Sequence, residues 1–120
     1  MAYVDGFLLA LPKKNLAIYK KMATVAAKVW MEYGALSYVE AVADDVKPGK
    51  LTSFPQAVKL KKGEVVVFSW ITYKSRKARD TILGKVMKDK RMTGYMNGTK
   101  KMPFDGKRMV YGGFKSIVEK

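Results

Sequence analysis

The sequence contains no cysteine and no histidine. Without cysteine there can be no disulfide, no thiolate nucleophile and no zinc site built on sulfur. Without histidine, a histidine-ligated haem and a Ser/His/Asp triad are excluded as well. The neighbouring Asp44 and Asp45 lack the ligand spacing of a calcium loop, so we expect neither a metal nor a cofactor. Any acid or base that works near neutral pH must then be a carboxylate, lysine or tyrosine with a shifted pKa.

Long apolar stretches are absent too. The longest, residues 7–11, is far below the roughly 18 residues that span a bilayer. The N-terminus also lacks a charged segment followed by the apolar core of a signal peptide. We therefore expect a cytoplasmic protein without a membrane partner. The 120 residues, with a mass of 13.5 kDa, suit one domain over residues 1–120.

Acidic residues are few, with 10 Asp and Glu against 24 Lys and Arg and a formal net charge of +14. Such a basic excess can attract nucleic acid through the release of counterions. The lysines, however, are scattered along the chain rather than gathered in one run, which is typical of a solvated surface. The charge alone leaves both interpretations open.

Four segments are predicted strands because they carry apolar residues at both odd and even positions. They are residues 3–11, 36–43, 65–73 and 109–118. Apolar residues at spacings of three and four predict a helix from Leu16 to Tyr33. Pro12 ends the strand before this helix, Asn15 is its candidate N-cap, and Gly34 follows its last turn.

A second helix is predicted to follow Ser75 as its N-cap, because apolar residues recur along one face as far as Val86. Residues 92–107 are rich in Gly, Asn, Thr and Lys and are predicted to form a loop. The connection over residues 44–63 is long for a hairpin, so we expect it to hold one helical turn near Phe54.

The predicted order is β-α-β-β-α-β. With right-handed crossovers, this order gives a ferredoxin-like α+β fold, in which both helices cover one face of a four-stranded antiparallel sheet. Strand three reads VVVFSWITY, so either parity presents large apolar side chains to the face without helices. Covering about 800 Å² of such surface gains on the order of 20 kcal/mol before association costs. A second copy is the simplest cover and would give a dimeric α/β barrel; the alternative is a monomer whose loops, residues 44–63 and 92–107, fold over the sheet.

Two carboxylates fall inside predicted strands, Asp5 in the first and Glu40 in the second. A carboxylate within a sheet needs a partner or a raised pKa, and acid and base catalysts occupy such environments. Both are therefore weak catalytic candidates. The alternative interpretation pairs each with a cation such as Arg108 or Lys74, or places it at an exposed strand edge.

Aromatic and charged residues near the strand ends are candidate ligand contacts. Trp70, Tyr73 and Tyr111 could line a pocket with tyrosine hydroxyls as polar groups, or could simply be core or interface residues. Asp105 and Arg108 precede the last strand and could close the mouth of that pocket. Asp105 followed by glycine is equally a turn signal.

Four motifs distributed along the chain carry a resemblance that extends over essentially its whole length. They are VDGF at residues 4–7, SFPQAV at 53–58, FSWITYKSR at 68–76 and KMPFDGKRMVYGGF at 101–114. Together they resemble the YbaA-like family of uncharacterised bacterial proteins in the dimeric α/β-barrel superfamily. The resemblance implies that fold and a homodimer but supplies no activity. Related barrels include cofactor-independent monooxygenases, haem-degrading enzymes and lactone isomerases, an analogy of fold that does not fix function.

These observations favour a homodimeric small-molecule-binding protein or a cofactor-independent enzyme with a pocket between sheet and loops. RNA binding is an alternative, because RNA-recognition modules share this strand order. Those modules carry a basic, glycine-aromatic motif on the third strand, which VVVFSWITY does not match, and dimerisation would cover the surface that RNA needs. A purely structural or interaction dimer is the remaining alternative.

Overall fold

Four antiparallel strands form one sheet in the computed structural model, which describes residues 2–120. The strands are β1 (Tyr3–Pro12), β2 (Ser37–Val42), β3 (Glu64–Tyr73) and β4 (Val110–Lys115). Their spatial order is β2-β3-β1-β4, with every neighbouring pair antiparallel. The helices are α1 (Leu16–Glu32), α2 (Phe54–Ala57), α3 (Arg76–Val86) and α4 (Lys90–Met96). The predicted ferredoxin-like α+β fold is confirmed. Along residues 2–120, no helix is long and apolar enough to cross a membrane.

Helix α1 begins after a 3-10 turn at Lys13–Asn15 and buries one stripe of side chains against the sheet. That stripe is Tyr19, Ala23, Ala26 and Val29, at the spacing of three and four that the sequence predicts. Asn15 occupies the N-cap position, but its side chain does not cap the helix. It donates instead to the carbonyl of Pro103 at 2.8 Å, so it ties the helix to a distant loop.

Two predictions from the sequence are wrong, one about a loop and one about the end of a strand. Residues 92–107 are not all loop, because α4 begins after Asp89, whose carboxylate accepts a hydrogen bond from the Arg91 N–H. Burial of Met92 in the core holds this short helix in place despite residues of low helix propensity. Strand β4 ends at Lys115 rather than at residue 118, since Ile117 and Val118 are 83% and 70% exposed and lie beyond the ladder.

The register of β1 and β3 decides which side chains face the helices. Leu9 pairs with Val67 and Leu11 with Val65, and these odd-numbered positions pack under α1. Tyr73, at the other end of β3, is fully buried in a second core cluster, where it packs with residues of α1 and α3. Odd positions of the two central strands therefore face the helices, which the sequence left undecided.

The opposite side of the sheet, here named the open face, carries the even positions of β1, β3 and β4 and the odd positions of β2 that pair with them. Its members are Val4, Gly6, Leu8, Ala10, Pro12, Ser37, Val39, Ala41, Glu64, Val66, Phe68, Trp70, Thr72, Val110, Gly112 and Phe114. The segment after α2 covers one end, where Val58 packs on Ala10 and Val66. The rest is uncovered, as Phe68 is 43% and Phe114 64% exposed. Thus the loop over residues 44–63 covers the sheet only in part, while Phe104 from the loop over residues 92–107 packs on Tyr19 of α1, on the helix side.

An ion pair fixes the turn before β4 to the start of β3. The two terminal guanidinium nitrogens of Arg108, Nη1 and Nη2, donate to the Glu64 carboxylate at 2.8 and 2.7 Å. Arg108 also reaches Asp105 at 3.2 Å and the Lys59 carbonyl at 3.1 Å. The Arg108 contact lowers the pKa of Glu64 to about 2. Because both side chains of this pair are largely buried, it acts as a clamp between the two strands.

The Glu64–Arg108 pair predicts a pH-dependent contribution to stability. A carboxyl whose pKa falls from 4.5 to about 2 on folding stabilises the protein fully above pH 4.5 and loses this effect as the pH drops toward 2. We expect Arg108→Met to lower the free energy of unfolding at neutral pH, because the Glu64 carboxylate loses its cationic partner. Urea unfolding at several pH values should show this difference shrinking toward pH 2. Lys107→Met, at the exposed neighbouring position, is the control; a difference that stays constant with pH would contradict the prediction.

Gly113 predicts a second stability effect, at the pairing of β1 with β4. Its register partner is Asp5, and the ring of Tyr3 occupies the space that a side chain at position 113 would need. A Cβ there would lie 2.8 Å from a Tyr3 ring carbon, whereas a Cβ at Gly112 would meet Phe114 at an ordinary 3.7 Å. We expect Gly113→Ala to destabilise the fold by about 1 to 3 kcal/mol through overpacking. Thermal unfolding of Gly113→Ala beside Gly112→Ala tests this, and equal melting temperatures would refute it.

Candidate functional site

A cavity of about 540 Å³ lies between the helix-covered face of the sheet and helices α1, α3 and α4. Strands supply one wall through Phe7, Leu9 and Ile71, and α1 supplies the facing wall through Met22 and Trp30. The cavity volume is in the range of small-molecule sites in proteins.

Methionine is the unusual component of the cavity. Six of the eight methionines in the chain line it, namely Met22, Met87, Met92, Met96, Met102 and Met109. Methionine side chains are unbranched and polarisable, and they adapt to irregular apolar or aromatic surfaces. Sequence reasoning missed this feature, although the crowding of five methionines between residues 87 and 109 is a signal that could have revealed it.

The opening of the cavity is marked by its most exposed lining residues. Met87 is 52%, Met96 41%, Met102 36% and Tyr111 70% exposed. The Tyr111 ring stacks on Phe7, with centroids 6.3 Å apart and an interplanar angle of 18°. An entering molecule therefore meets flexible thioethers and an aromatic face before it reaches any charged group.

Asp5 is buried at one side of the cavity and is paired with a cation. The guanidinium of Arg79, from α3, donates to its carboxylate at 3.2 Å and lies 5.0 Å from the centre of the Tyr3 ring. Trp30 donates to the Tyr73 hydroxyl at 3.0 Å, and that hydroxyl faces the same carboxylate. Burial raises the pKa of Asp5, although the Tyr73 hydroxyl and Arg79 lower it in part. Asp5 is therefore paired with a cation, as one interpretation of the sequence proposed, but the partner is Arg79 from α3 rather than Arg108 or Lys74.

Glu40 lies on the edge strand β2 and has a different environment. The Tyr19 hydroxyl donates to one carboxylate oxygen at 2.6 Å and the Tyr38 hydroxyl to the other at 2.8 Å. Burial and then the neighbouring Glu40 raise the pKa of both tyrosines, so they remain protonated donors at neutral pH. Within residues 2–120, Glu40 forms no ion pair. It also borders a groove of about 390 Å³ between α1 and β2.

The predicted site residues separate into two groups. Asp5, Glu40 and Tyr111 line the cavity, and Tyr73 lies behind its wall, fully buried. Trp70 lies on the open face instead, because it occupies an even position of β3.

Asp105 and Arg108 also lie outside the cavity lining, since their charges are engaged in the clamp with Glu64. Over the described residues, no group of three potential metal-ligating side chains occurs. The charged groups that line the cavity are the carboxylates of Asp5 and Glu40 and the Arg79 guanidinium, which is paired with Asp5. Asp5, with its raised pKa, is a stronger base than an ordinary aspartate.

Comparison with known proteins gives a family without an assigned activity. The model of the family "Protein of unknown function (DUF1428)" matches residues 2–106. "Uncharacterized protein YbaA" of Escherichia coli strain K12 and that of Shigella flexneri are each 50% identical over 119 residues, covering 99% of both chains. The solved structure of Rv0793 from Mycobacterium tuberculosis has a TM-score of 0.59 at 13% identity, covering 99% of this chain and 98% of that chain, which shows a shared fold. The chain therefore belongs to the DUF1428 family of proteins of unknown function, and the resemblance to YbaA-like proteins is confirmed.

Proposed function

We propose that this protein is a homodimer that binds a small, largely apolar molecule in the methionine-lined cavity. The observation that carries the proposal is the combination of adaptable apolar walls with two carboxylates, Asp5 and Glu40, in the lining of one cavity. Natural ligand sites have this composition, with many hydrophobic and aromatic side chains and a small number of placed polar groups. Asp5, Glu40 and Tyr111 are the proposed ligand contacts, and Tyr73 is a positioning residue behind Asp5.

The cavity walls support an aromatic or branched apolar ligand. Thioethers contact aromatic rings favourably at their edges, and Met22, Met92 and Met109 can adjust to rings of different shape. Phe7, Trp30 and other aromatic side chains add flat surfaces on which a ring can stack. Every 100 Å² of apolar ligand surface removed from water contributes about 2.5 kcal/mol before ordering costs.

The shape of the chain supports the dimer. Its extents are 39 × 38 × 20 Å, and its radius of gyration is 14.9 Å, against about 13.6 Å for a compact chain of this length. The exposed area is 8380 Å², whereas a compact monomer of this mass exposes about 6,500 Å². This excess is larger than the roughly 800 Å² that each partner buries in a standard interface. The open face, with Phe68 and Phe114 uncovered, is the proposed contact between the two copies.

RNA binding remains the alternative for the open face, because Phe68, Trp70 and Phe114 form an aromatic group on a ferredoxin-like sheet. No lysine or arginine is among the open-face residues, however. An RNA platform combines aromatic rings with basic side chains that contact the phosphates. An open face without basic side chains therefore supports self-association over RNA binding, and a salt-sensitive mobility shift with bulk RNA would reverse this assignment.

If the cavity is a binding site for apolar molecules, a neutral apolar probe should bind to the protein. N-phenyl-1-naphthylamine fluoresces more strongly in apolar surroundings, and we expect its emission to rise on titration into the protein. Ala26, a buried residue of the cavity wall, is the site for filling the space. Ala26→Leu should weaken probe binding by about tenfold, because the added atoms occupy the volume that the ring needs.

Ala17→Leu is the matched control for this experiment, since Ala17 is exposed on the same helix. Circular dichroism checks that both variants fold. If Ala26→Leu does not fold, Met96→Glu at the exposed opening replaces it, because a charge there disfavours an apolar probe. Absence of a fluorescence rise, or equal affinity in wild type and the cavity variants, would contradict the proposed binding site.

The dimer predicts a change of mass when the open face acquires a charge. Phe114→Asp places a carboxylate in the proposed contact, and the open face has no lysine or arginine to pair with it. We therefore expect the dimer to dissociate to monomers of 13.5 kDa. Sedimentation equilibrium measures the mass directly. Ile18→Asp is the control, because Ile18 is 60% exposed on α1, away from the open face. A wild-type protein that sediments as a monomer would refute the proposal, as would a Phe114→Asp variant that remains dimeric.

A further inference from the structure

We propose that the ligand of the cavity is an organic cation, an ammonium group on an apolar body, and that Glu40 binds the ammonium. This inference rests on the proposed function, since it names the class of molecule that the cavity accepts. It begins with a difference between the two carboxylates that line the cavity. Asp5 is neutralised by Arg79 at 3.2 Å, whereas Glu40 has only the neutral hydroxyls of Tyr19 and Tyr38.

The charge of Glu40 lacks a counterion in the described part of the chain, residues 2–120. Each carboxylate oxygen accepts one hydrogen bond from a tyrosine hydroxyl and retains a second lone pair. A half-buried anion beside apolar walls is stabilised by an opposite charge more than by any neutral group. An anionic ligand would be repelled from the same position.

The cationic side chains near the cavity do not fill this role. Arg79 is held by Asp5 and by Asp80, the latter at 2.9 Å. Lys20 borders the outer groove beside Glu40 but is solvent-exposed and makes no ion pair there. A ligand ammonium that enters the cavity therefore meets a carboxylate whose charge is unmatched.

Aromatic faces near Glu40 favour the same class of ligand. Trp30 and Tyr38 lie with ring centroids 5.9 Å apart at a 53° angle, both line the cavity, and Tyr38 donates to the Glu40 carboxylate. Ammonium groups are attracted to the faces of such rings, and recognition of organic cations commonly combines aromatic rings with an acid. The methionines then accommodate the apolar body of the molecule.

A metal ion would be a poor occupant of this position. Calcium and magnesium need several oxygen ligands, and the hydroxyls of Tyr19 and Tyr38 are donors to Glu40 rather than free ligands. Residues 2–120 offer no group of three potential metal-ligating side chains. A single carboxylate flanked by neutral donors and aromatic rings matches a monovalent organic cation.

The test uses three compounds that share one apolar body and differ in the polar group. They are 2-(1-naphthyl)ethylamine, 2-(1-naphthyl)ethanol and 1-naphthylacetic acid. Each compound is titrated into the wild-type protein at neutral pH, and calorimetry measures its affinity. We expect the amine to bind at least about tenfold more tightly than the alcohol, and the acid to bind weakest. In Glu40→Gln the amine should lose its advantage while the alcohol keeps its affinity. Asp45→Asn removes a carboxylate charge at an exposed position outside the cavity lining and should leave the order of affinities intact.

The outcomes separate this inference from the proposed function. If the alcohol or the acid binds as tightly as the amine, the cation inference is overturned, while binding of the naphthyl body still supports the cavity. If the amine keeps its advantage in Glu40→Gln, the assignment to Glu40 is wrong. If no naphthyl compound and no N-phenyl-1-naphthylamine binds, the proposed function itself is rejected. Should Glu40→Gln fail to fold, the comparison of the three compounds on the wild type decides the charge preference alone.

Discussion

The antiparallel register between β1 and β3 is the constraint on which the rest of the structure depends. It pairs Leu9 with Val67 and Asp5 with Ile71, and so places both odd-numbered rows on the same side of the sheet. Because side chains alternate along a strand, a slip of one residue would turn this set toward solvent and the open face toward the helices. The core, the cavity and the uncovered sheet surface are three consequences of this one alignment. Helices α1 and α3 pack on the odd-numbered side chains of these two strands.

The two carboxylates of the cavity show how position within the sheet determines electrostatic environment. Asp5 is on a central strand, directly beneath α3, and receives the guanidinium of Arg79. Glu40 is on the edge strand and receives hydroxyls from its own strand and from α1. The charge of Asp5 is therefore neutralised by a cation, whereas Glu40 receives only neutral hydrogen bonds. Two carboxylates on one face of the sheet thus differ in environment because different side chains from the helices reach them.

Much of the fold followed from local patterns, and the exceptions have physical causes. The spacing of apolar residues identified α1, and Ser75 capped α3 as predicted, its hydroxyl accepting from the Ala78 N–H at 3.1 Å. Helix α4 was missed because Gly94 and its neighbours have weak helical preference, and the burial of Met92 compensates. The candidate site was predicted only in part. Asp5, Glu40 and Tyr111 share the cavity, but Trp70 differs from Tyr73 by an odd number of positions and so lies on the other face.

By itself, the sequence determined the order of strands and long helices, the exclusion of cysteine and histidine chemistry, and the presence of two apolar sheet faces. These are properties of local periodicity and of residue inventory, which do not depend on distant contacts. Only the tertiary structure decided which parity faces the helices, that Arg79 rather than Arg108 neutralises Asp5, and that methionines far apart in the chain meet in one cavity. Each of these depends on contacts between residues far apart in sequence. Such contacts are fixed by register and helix packing, and a one-dimensional pattern does not encode them directly.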